Sequence, residues 1–395
     1  MRIGINGFYL TTPNTGLGQY TINLLHALAE IDTTNKYTIF VPQKVEYAFP
    51  PNFKFVTVSP ITFFPKTFVN RFIWEEYQLG RALKKHKIEL FHGMYQSLPR
   101  GSEDIANVVT IHDAIPWRFP FEREQLIYKW YSDIRKNLVS KRAKKVITIS
   151  DTSKIDFAHI YGIKPETIEV TYESIDPIFW KEPTPGEMNE FKKEFKVEKD
   201  FILYTGGLKR HKNLRILIKS FDILVKEYGY TGDLYILGAV RDTMAVSPHI
   251  YYKVQDLEHY AELKKIGNRV KFVGFVTRSQ MSKFMHAADV FVSLSLYEGF
   301  GLPLLEAMTS GCPCVLSNTG AYPEIAETAA LLVLPYGPHK IAQTISDVLT
   351  DKTLRKTLVQ KGKKRAEFFD RTTIAKRVIE IYQEVYDDYK INFQP

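Results

Sequence analysis

The chain has 395 residues, 45% of them hydrophobic and 25% charged, with 53 Lys and Arg against 44 Asp and Glu for a formal charge of +9. That length and composition exclude a disordered or fibrous protein and favour two domains, each with its own core. No apolar run approaches the roughly 18 residues that a bilayer span needs, and the start, MRIGINGFYL, lacks the apolar stretch and cleavage site of a secretory signal.

The positive balance leaves nucleic acid, an anionic membrane surface and a phosphorylated substrate open as partners. The only cysteines, Cys312 and Cys314, stand too close for a usual disulfide or a C-x-x-C metal clip. A reducing, cytoplasmic setting is the expectation.

Taken in chain order, RIGINGFYL reads as a buried strand. It is followed by the turn cluster TTPNTGLG and a helix beginning near Gln19 with Leu24, Leu25 and Leu28 on one face. Strands are predicted at KYTIFV, FKFVTVS, IELFHG, ANVVTIHD and KKVITIS, with helices at FIWEEYQLGRALKKH and LIYKWYSDIRKNLVSKR between them. This alternation indicates a parallel, doubly wound sheet. The stretch DPIFWKEPTPGEMNEFKKEF, rich in proline and charge, reads as a connector into a second domain. A second series follows, with strands FILYTGG, GDLYILGA, RVKFVGF, DVFVSLS and CPCVLSN and helices LRILIKSFDILVKEY, SQMSKFMHAAD and LPLLEAMTSG. The last stretch, from TLVQKGKK to YQEVYDDYK, reads as two helices with no strand after them.

Four places carry residues suited to chemistry. In TPNTGLGQY, Gly16 and Gly18 lie between a strand and a helix start, where free amides and the helix dipole favour an anion. The spacing misses the full G-x-G-x-x-G of a dinucleotide site, which disfavours a dehydrogenase. In VVTIHDAIPWRFP, His112 and Asp113 follow a strand directly and so lie at its carboxyl end, the edge where open α/β sheets bind ligands. A metal reading of His112 or His92 lacks further ligands at the right spacing.

In LYTGGLKRHKNLRILIKSF, Lys209, Arg210, His211 and Lys212 precede a long helix, an arrangement suited to a diphosphate. In EGFGLPLLEAM, Glu298 and Glu306 flank a glycine loop that leads into a helix with Pro303 in its first turn. An acid in or near a first turn has an electrostatic explanation of its own. Two carboxylates beside an anion site also suit the reading of hydroxyls, because ionised carboxylates only accept.

These pieces resemble those of the family 4 retaining glycosyltransferases. EGFGLPLLEAMTSGCP is similar to their E-x7-E signature and TGGLKRHKN to their phosphate loop; TGLGQYTINLL, VTIHDAIPWRFP, ITISDTSK, FVGFV and AYPEI fall in the same order. The resemblance implies a GT-B architecture, an α/β fold of two Rossmann-like domains facing each other across a cleft. The expected parts are an acceptor domain over 1–178, a nucleotide-sugar donor domain over 179–375, and a C-terminal helix over 376–395 returning to the first domain.

It further implies that Glu306 binds the donor ribose and Lys212 the diphosphate. Glu298 would contact the transferred sugar, with the amides of Phe300, Gly301 and Leu302 nearby. The backbone around Gly274 and Phe275 would meet the base, His112 the sugar near its reacting carbon, and Gly16 and Gly18 the phosphates. Many members carry an arginine six residues before the phosphate-loop lysine; Gly206 stands there, so Lys209 or Arg210 would supply the second charge, or Lys212 would act with helix amides alone.

No D-x-D motif is found in the sequence, and the resemblance implies catalysis without a metal or other cofactor. The stretch HDAIPWRFP resembles that of bacterial mannosyltransferases of O-antigen and exopolysaccharide assembly, which points to GDP-mannose; rhamnosyl and glucosyl transferases share similar stretches. The acceptor is expected to be a glycan or a lipid-linked saccharide.

FFPKTFVNRFIWEEYQLGRALKKHK interleaves Phe63, Phe64, Phe68, Phe72 and Trp74 with Lys66, Arg71, Arg81, Lys84 and Lys85, a mixture suited to an anionic membrane interface at the inner face of the cytoplasmic membrane. An ordinary amphipathic helix with a solvated basic face has the same pattern. Other GT-B activities, nucleotide-sugar epimerase or phosphorylase, and a catalytically inactive sugar-nucleotide-binding protein are the alternatives. No zinc, helix-turn-helix or RNP-like motif supports nucleic-acid binding.

Overall fold

A computed structural model describes residues 1–61, 68–119, 126–238 and 250–393. They divide into two compact units: Met1–Trp117, Arg123–Ser174 and Phe369–Pro395 form the first, and Ile175–Phe368 with Arg118–Glu122 the second. The changes of unit at 174/175 and 368/369 fall a few residues before the 178 and 375 read from the sequence.

The first unit is built on β1 (Arg2–Asn6), β2 (Lys36–Val41), β3 (Phe53–Thr57), β4 (Leu90–Gly93), β5 (Ala106–Ile111), β6 (Lys145–Thr148) and β7 (Ile168–Val170). All pair in parallel, in the order β3-β2-β1-β4-β5-β6-β7. β5 is buried along its whole length because helices cover both faces of such a sheet, which is why its sequence, ANVVTI, does not alternate. The chain winds outward from β1 to β3 and then returns to β4 on the other side of β1. The carboxyl ends of β1 and β4 therefore flank a topological switch point.

The helix Gly16–Ile31 buries Leu24, Leu25 and Leu28 as expected, but starts at Gly16 rather than near Gln19, because the Thr15 hydroxyl accepts from the Gly18 amide and caps it. The last helix, Arg371–Phe393, packs on Gly16–Ile31 and β5 through Ala375, Val378, Ile381, Tyr382 and Val385.

The second unit repeats the plan with β8 (Phe201–Thr205), β9 (Asp233–Leu237), β10 (Val270–Gly274), β11 (Val290–Ser293), β12 (Cys314–Ser317) and β13 (Leu331–Val333). The order is β10-β9-β8-β11-β12-β13, with the switch point between β8 and β11. Its core is formed by Ile202, Leu234, Ile236, Val290, Val292 and Val315 of the sheet against Leu217, Phe221, Ile341 and Ile345 of the covering helices. The stretch read as a connector contains a helix, Pro185–Glu194, opened by a capping box between Thr184 and Glu187. Both cysteines are buried free thiols. Among the described residues no helix is long and apolar enough to cross a membrane.

Candidate active site

At the switch point of the second unit the loops after β8 and β11 meet. Glycines stand at the carboxyl ends of three neighbouring strands, Gly206 after β8, Gly238 after β9 and Gly274 closing β10, and the backbone demands them. Gly206 has φ +150 and a Cβ on it would lie 2.8 Å from the Tyr204 hydroxyl, while a Cβ on Gly238 would lie 2.0 Å from the Gly206 carbonyl. Gly274, with φ +80, accepts from the Gly238 amide at 3.0 Å. An arginine at Gly206 would need both a strained backbone and a displaced Tyr204, which gives a local reason for its absence.

Beyond Leu208 the chain makes a single 3₁₀ turn, Arg210–Lys212, and enters the helix Leu214–Tyr228 through Asn213 in the left-handed conformation (φ 61). The Asn213 side-chain amide donates to the carbonyls of Leu294 (3.2 Å) and Pro335 (2.8 Å), tying the helix start to the loop after β11. Lys212 is thereby held one residue before the first cap of a long helix, where its charge and the amide field act together. The Lys209 ammonium lies 5.9 Å from the Tyr251 ring centre and the Arg210 guanidinium 5.2 Å from that of Tyr252. Lys212 is joined to a candidate carboxylate.

That carboxylate is Glu298. Its Oε1 accepts from Lys212 Nζ at 2.5 Å, and the Tyr322 hydroxyl, bonded to Ser293 Oγ at 2.6 Å, lies 3.5 Å from the same oxygen. Burial alone would raise the Glu298 carboxyl, but the Lys212 ammonium, helped by His211 and Ser295, outweighs it and holds the pKa below the usual value. The backbone is clasped as well: Ala321 donates to the Glu298 carbonyl at 3.0 Å, and a Cβ on Gly320 (φ +57) would lie 2.5 Å from the Glu298 nitrogen. Gly301, φ +103, caps the helix Leu302–Thr309 and packs under Tyr322, where a Cβ would lie 2.6 Å from Cε1. The Phe300 side chain is buried. Phe275 is 55% exposed at the end of β10.

Glu306 lies beyond the first turn of its helix, which holds no acid, so the dipole explanation does not apply. Its carboxylate is buried and bonded to Arg278 Nη1 at 2.5 Å. Arg278 also faces Asp176 Oδ2 at 3.5 Å and covers the Phe179 ring, 4.6 Å from its centre. Sequence reading missed Arg278. The signal was an arginine in the first turn of a helix capped by Thr277 and Gln280, where a cation opposes the dipole.

In the first unit His112 follows β5 and is 3% exposed. Its Nε2 donates to the Met94 carbonyl at 3.0 Å, its Nδ1 lies 3.5 Å from Glu173 Oε1, and its ring meets Tyr20 edge-on at 4.5 Å. Glu173 is therefore the neighbour of His112. His92 is structural: Nδ1 bonds the Tyr382 hydroxyl at 2.6 Å and Nε2 Thr110 Oγ1 at 2.7 Å. Burial, with a smaller contribution from His112, pushes its pKa down to about 3. The Gly18 amide is spent on the Thr15 cap, and a Cβ on Gly18 would lie 2.3 Å from the Thr12 carbonyl. Gly18 is thus required by packing, and the amides at the first turn near Gly16 are those left for an anion.

The segment read as a membrane interface is corrected in part. Phe63, Phe64 and Lys66 and the side chain of Phe68 lie outside the described residues. Trp74 is fully buried, its indole N–H donating to the Val58 carbonyl, and Arg71 is paired inward with Glu75. A π-helical turn over Trp74–Gln78 follows, in which Trp74, Glu75 and Glu76 are all buried. Arg81, Lys84 and Lys85 remain exposed.

Two family models match side by side: Glycosyltransferase Family 4 over residues 14–178 and Glycosyl transferases group 1 over residues 187–365. The chain belongs to glycosyltransferase family 4. This transferase is 25% identical over 390 residues to the O-antigen chain mannosyltransferase B of Escherichia coli, covering 94% of this chain and 96% of that one. The sucrose-phosphate synthase of Thermosynechococcus elongatus superposes with a TM-score of 0.77 at 19% identity, over 98% of the transferase and 100% of the synthase. HepE of Anabaena in complex with UDP-glucose gives 0.74 at 18% identity, over 97% and 100% of the two chains. The fold of the transferase is accordingly GT-B: two Rossmann-like parallel sheets and a helical C-terminus.

Proposed function

We propose that the transferase moves a hexose, mannose from GDP-mannose, from a nucleotide diphosphate sugar to a glycan or lipid-linked saccharide, with retention and without a metal. The observation that carries this is the Lys212–Glu298 pair at the switch point of the second unit, beside the start of the helix Leu214–Tyr228. The arriving diphosphate takes the Lys212 ammonium and the helix amides. Glu298 turns to hydroxyls of the sugar and Glu306, oriented by Arg278, to the ribose.

In the transfer step the bond between the anomeric carbon and the phosphate oxygen breaks, and the acceptor oxygen bonds to that carbon from the same face. The acceptor proton passes to the leaving phosphate. Negative charge grows on that phosphate as it departs, so prearranged cations and amides favour the transition state over the ground state. Similarity to the E. coli mannosyltransferase supports mannose; the UDP-glucose complex of HepE makes UDP-glucose the first competitor to test.

Incubation with GDP-mannose, UDP-glucose and dTDP-rhamnose should show slow nucleotide release selective for GDP-mannose. Release from none of them would refute the reading, and release from UDP-glucose alone would replace the donor. Glu306→Ala should weaken GDP binding, whereas His112→Ala should lower turnover more than binding. Peripheral attachment to anionic membranes through the face that carries Arg81, Lys84 and Lys85 belongs to the same proposal, and absence of vesicle binding at low salt would remove it.

A further inference from the structure

The switch point of the first unit, between β1 and β4, carries its own polar cluster. Phe8 and Tyr9 follow β1 and Tyr95 follows β4, so all three sit at the carboxyl edge on either side of that crevice. The Arg71 guanidinium is collared by them, 4.4 Å from the Phe8 ring centre, 4.8 Å from that of Tyr9 and 5.6 Å from that of Tyr95. Behind it is Glu75, fully buried, whose Oε1 accepts from Arg71 Nε (3.2 Å) and Nη2 (3.1 Å) while Oε2 accepts from Arg135. Among the described residues one carboxylate thus faces two guanidinium groups, an excess of positive charge in an aromatic, low-dielectric setting.

The unused valence points the same way. Guanidinium carries five N–H donors and no acceptor; Glu75 takes one each on Nε and Nη2, the Tyr9 hydroxyl is a further side-chain partner, and Nη1 meets no carboxylate among the described residues. The Arg71 side chain keeps 20% of its surface in solvent. The Tyr9 hydroxyl lies beside Arg71, and burial raises both it and the Tyr95 phenol, Tyr9 to about 12, so both stay protonated donors. Among the described acids near this edge, Asp113 accepts from the Ile115 amide and also adds to the raising of the Tyr95 phenol, while Glu173 faces His112. The π turn at Trp74–Gln78 is what lets the consecutive Glu75 and Glu76 both turn inward, and such turns recur at functional sites.

We propose that Arg71, with the phenols of Tyr9 and Tyr95, binds an anionic group of the acceptor, a diphosphate or a carboxylate. This rests on the glycosyl-transfer reading and names the acceptor class: a charged saccharide or lipid-linked diphosphate rather than a neutral glycan. Glu75 and Arg135 orient Arg71 and do not touch the ligand.

The test is calorimetric titration of the whole protein, with the nucleotide site saturated by GDP, using geranyl diphosphate and glucuronate as separate probes. Binding of the first alone identifies a lipid diphosphate, and of the second alone an acidic sugar. Tyr95→Phe and Tyr9→Phe, which remove only a hydroxyl, should each weaken the bound probe about tenfold, as expected for loss of a hydrogen bond to a charged group. Arg71→Lys, which keeps the charge but loses the fork, should weaken it at least as much. Binding of neither probe, or wild-type affinity in both phenylalanine variants, would overturn the proposal. Donor turnover in those same samples would show that the glycosyl-transfer reading survives that failure; loss of donor turnover in the wild type would count against that reading instead.

Discussion

Replacing Arg278 by Met removes the partner of Glu306 while keeping most of the side-chain volume. The Glu306 side chain is 4% exposed and that of Arg278 29%, so the variant takes a charged, hydrogen-bonding partner away from a buried carboxylate. Breaking such a pair costs about 3–5 kcal/mol when both members are buried. Arg278 is partly wetted, so the lower end, about 3 kcal/mol, applies. For a domain of this size that corresponds to a fall of roughly 6–12 °C in the unfolding temperature of the second unit.

Arg278→Met also removes the contacts with Asp176 and Phe179, so the pair is isolated by a cycle with Glu306→Gln. The double variant should be less destabilised than the two singles summed, by about 2 kcal/mol. Urea denaturation of the four proteins, followed by GDP titration of each, measures both consequences. GDP affinity should fall in Arg278→Met as it does in Glu306→Ala, because the carboxylate loses its orientation. A coupling below about 0.5 kcal/mol would refute the assignment of Arg278 as the positioning partner of Glu306.

Acid should destabilise the first unit through His92. Its pKa is about 3 in the folded chain against 6.5 for an ordinary solvated imidazole, so as pH falls through 6.5 the unfolded chain takes up a proton that the folded one refuses. Stability is lost progressively down to the folded pKa, at about 1.4 kcal/mol per pH unit, or about 2 kcal/mol by pH 5. His92→Gln should flatten that slope in urea midpoints measured across the range, and an unchanged slope would contradict it. Gly320→Ala should destabilise the second unit by about 2 kcal/mol or more, because the new Cβ would meet the Glu298 backbone at 2.5 Å in a left-handed conformation. GDP-mannose turnover should fall with it, and a fully active, equally stable variant would show that the clasp on Glu298 is unimportant.

Most of the frame is legible in the sequence because parallel strands buried on both faces read as unbroken apolar runs, as KYTIFV and ANVVTI do. β7 and β13 were missed. Each is a three-residue edge strand, too short to show a period. The helix at Pro185–Glu194 was hidden by its proline content, although Thr184 and Glu187 spell a capping box. At the site, the positions of Lys212, Glu298 and Glu306 could be named from spacing, but their partners could not. Arg278 meets Glu306, and Glu173 meets His112, only through packing of distant segments. The burial of the consecutive Trp74, Glu75 and Glu76 was invisible for another reason: a helical pattern assumes 100° per residue, and the π turn departs from that phase.

The first unit is discontinuous along the chain, and this has a consequence for how it is made. Its seven strands are all synthesised by Val170, yet the helix that covers β5 and supplies Tyr382 to His92 follows the whole of the second unit. A nascent chain must therefore carry an exposed apolar strip on Gly16–Ile31 until Arg371–Phe393 emerges. Losing the last helix would deprive the earliest part of the protein, rather than the latest, of its cover.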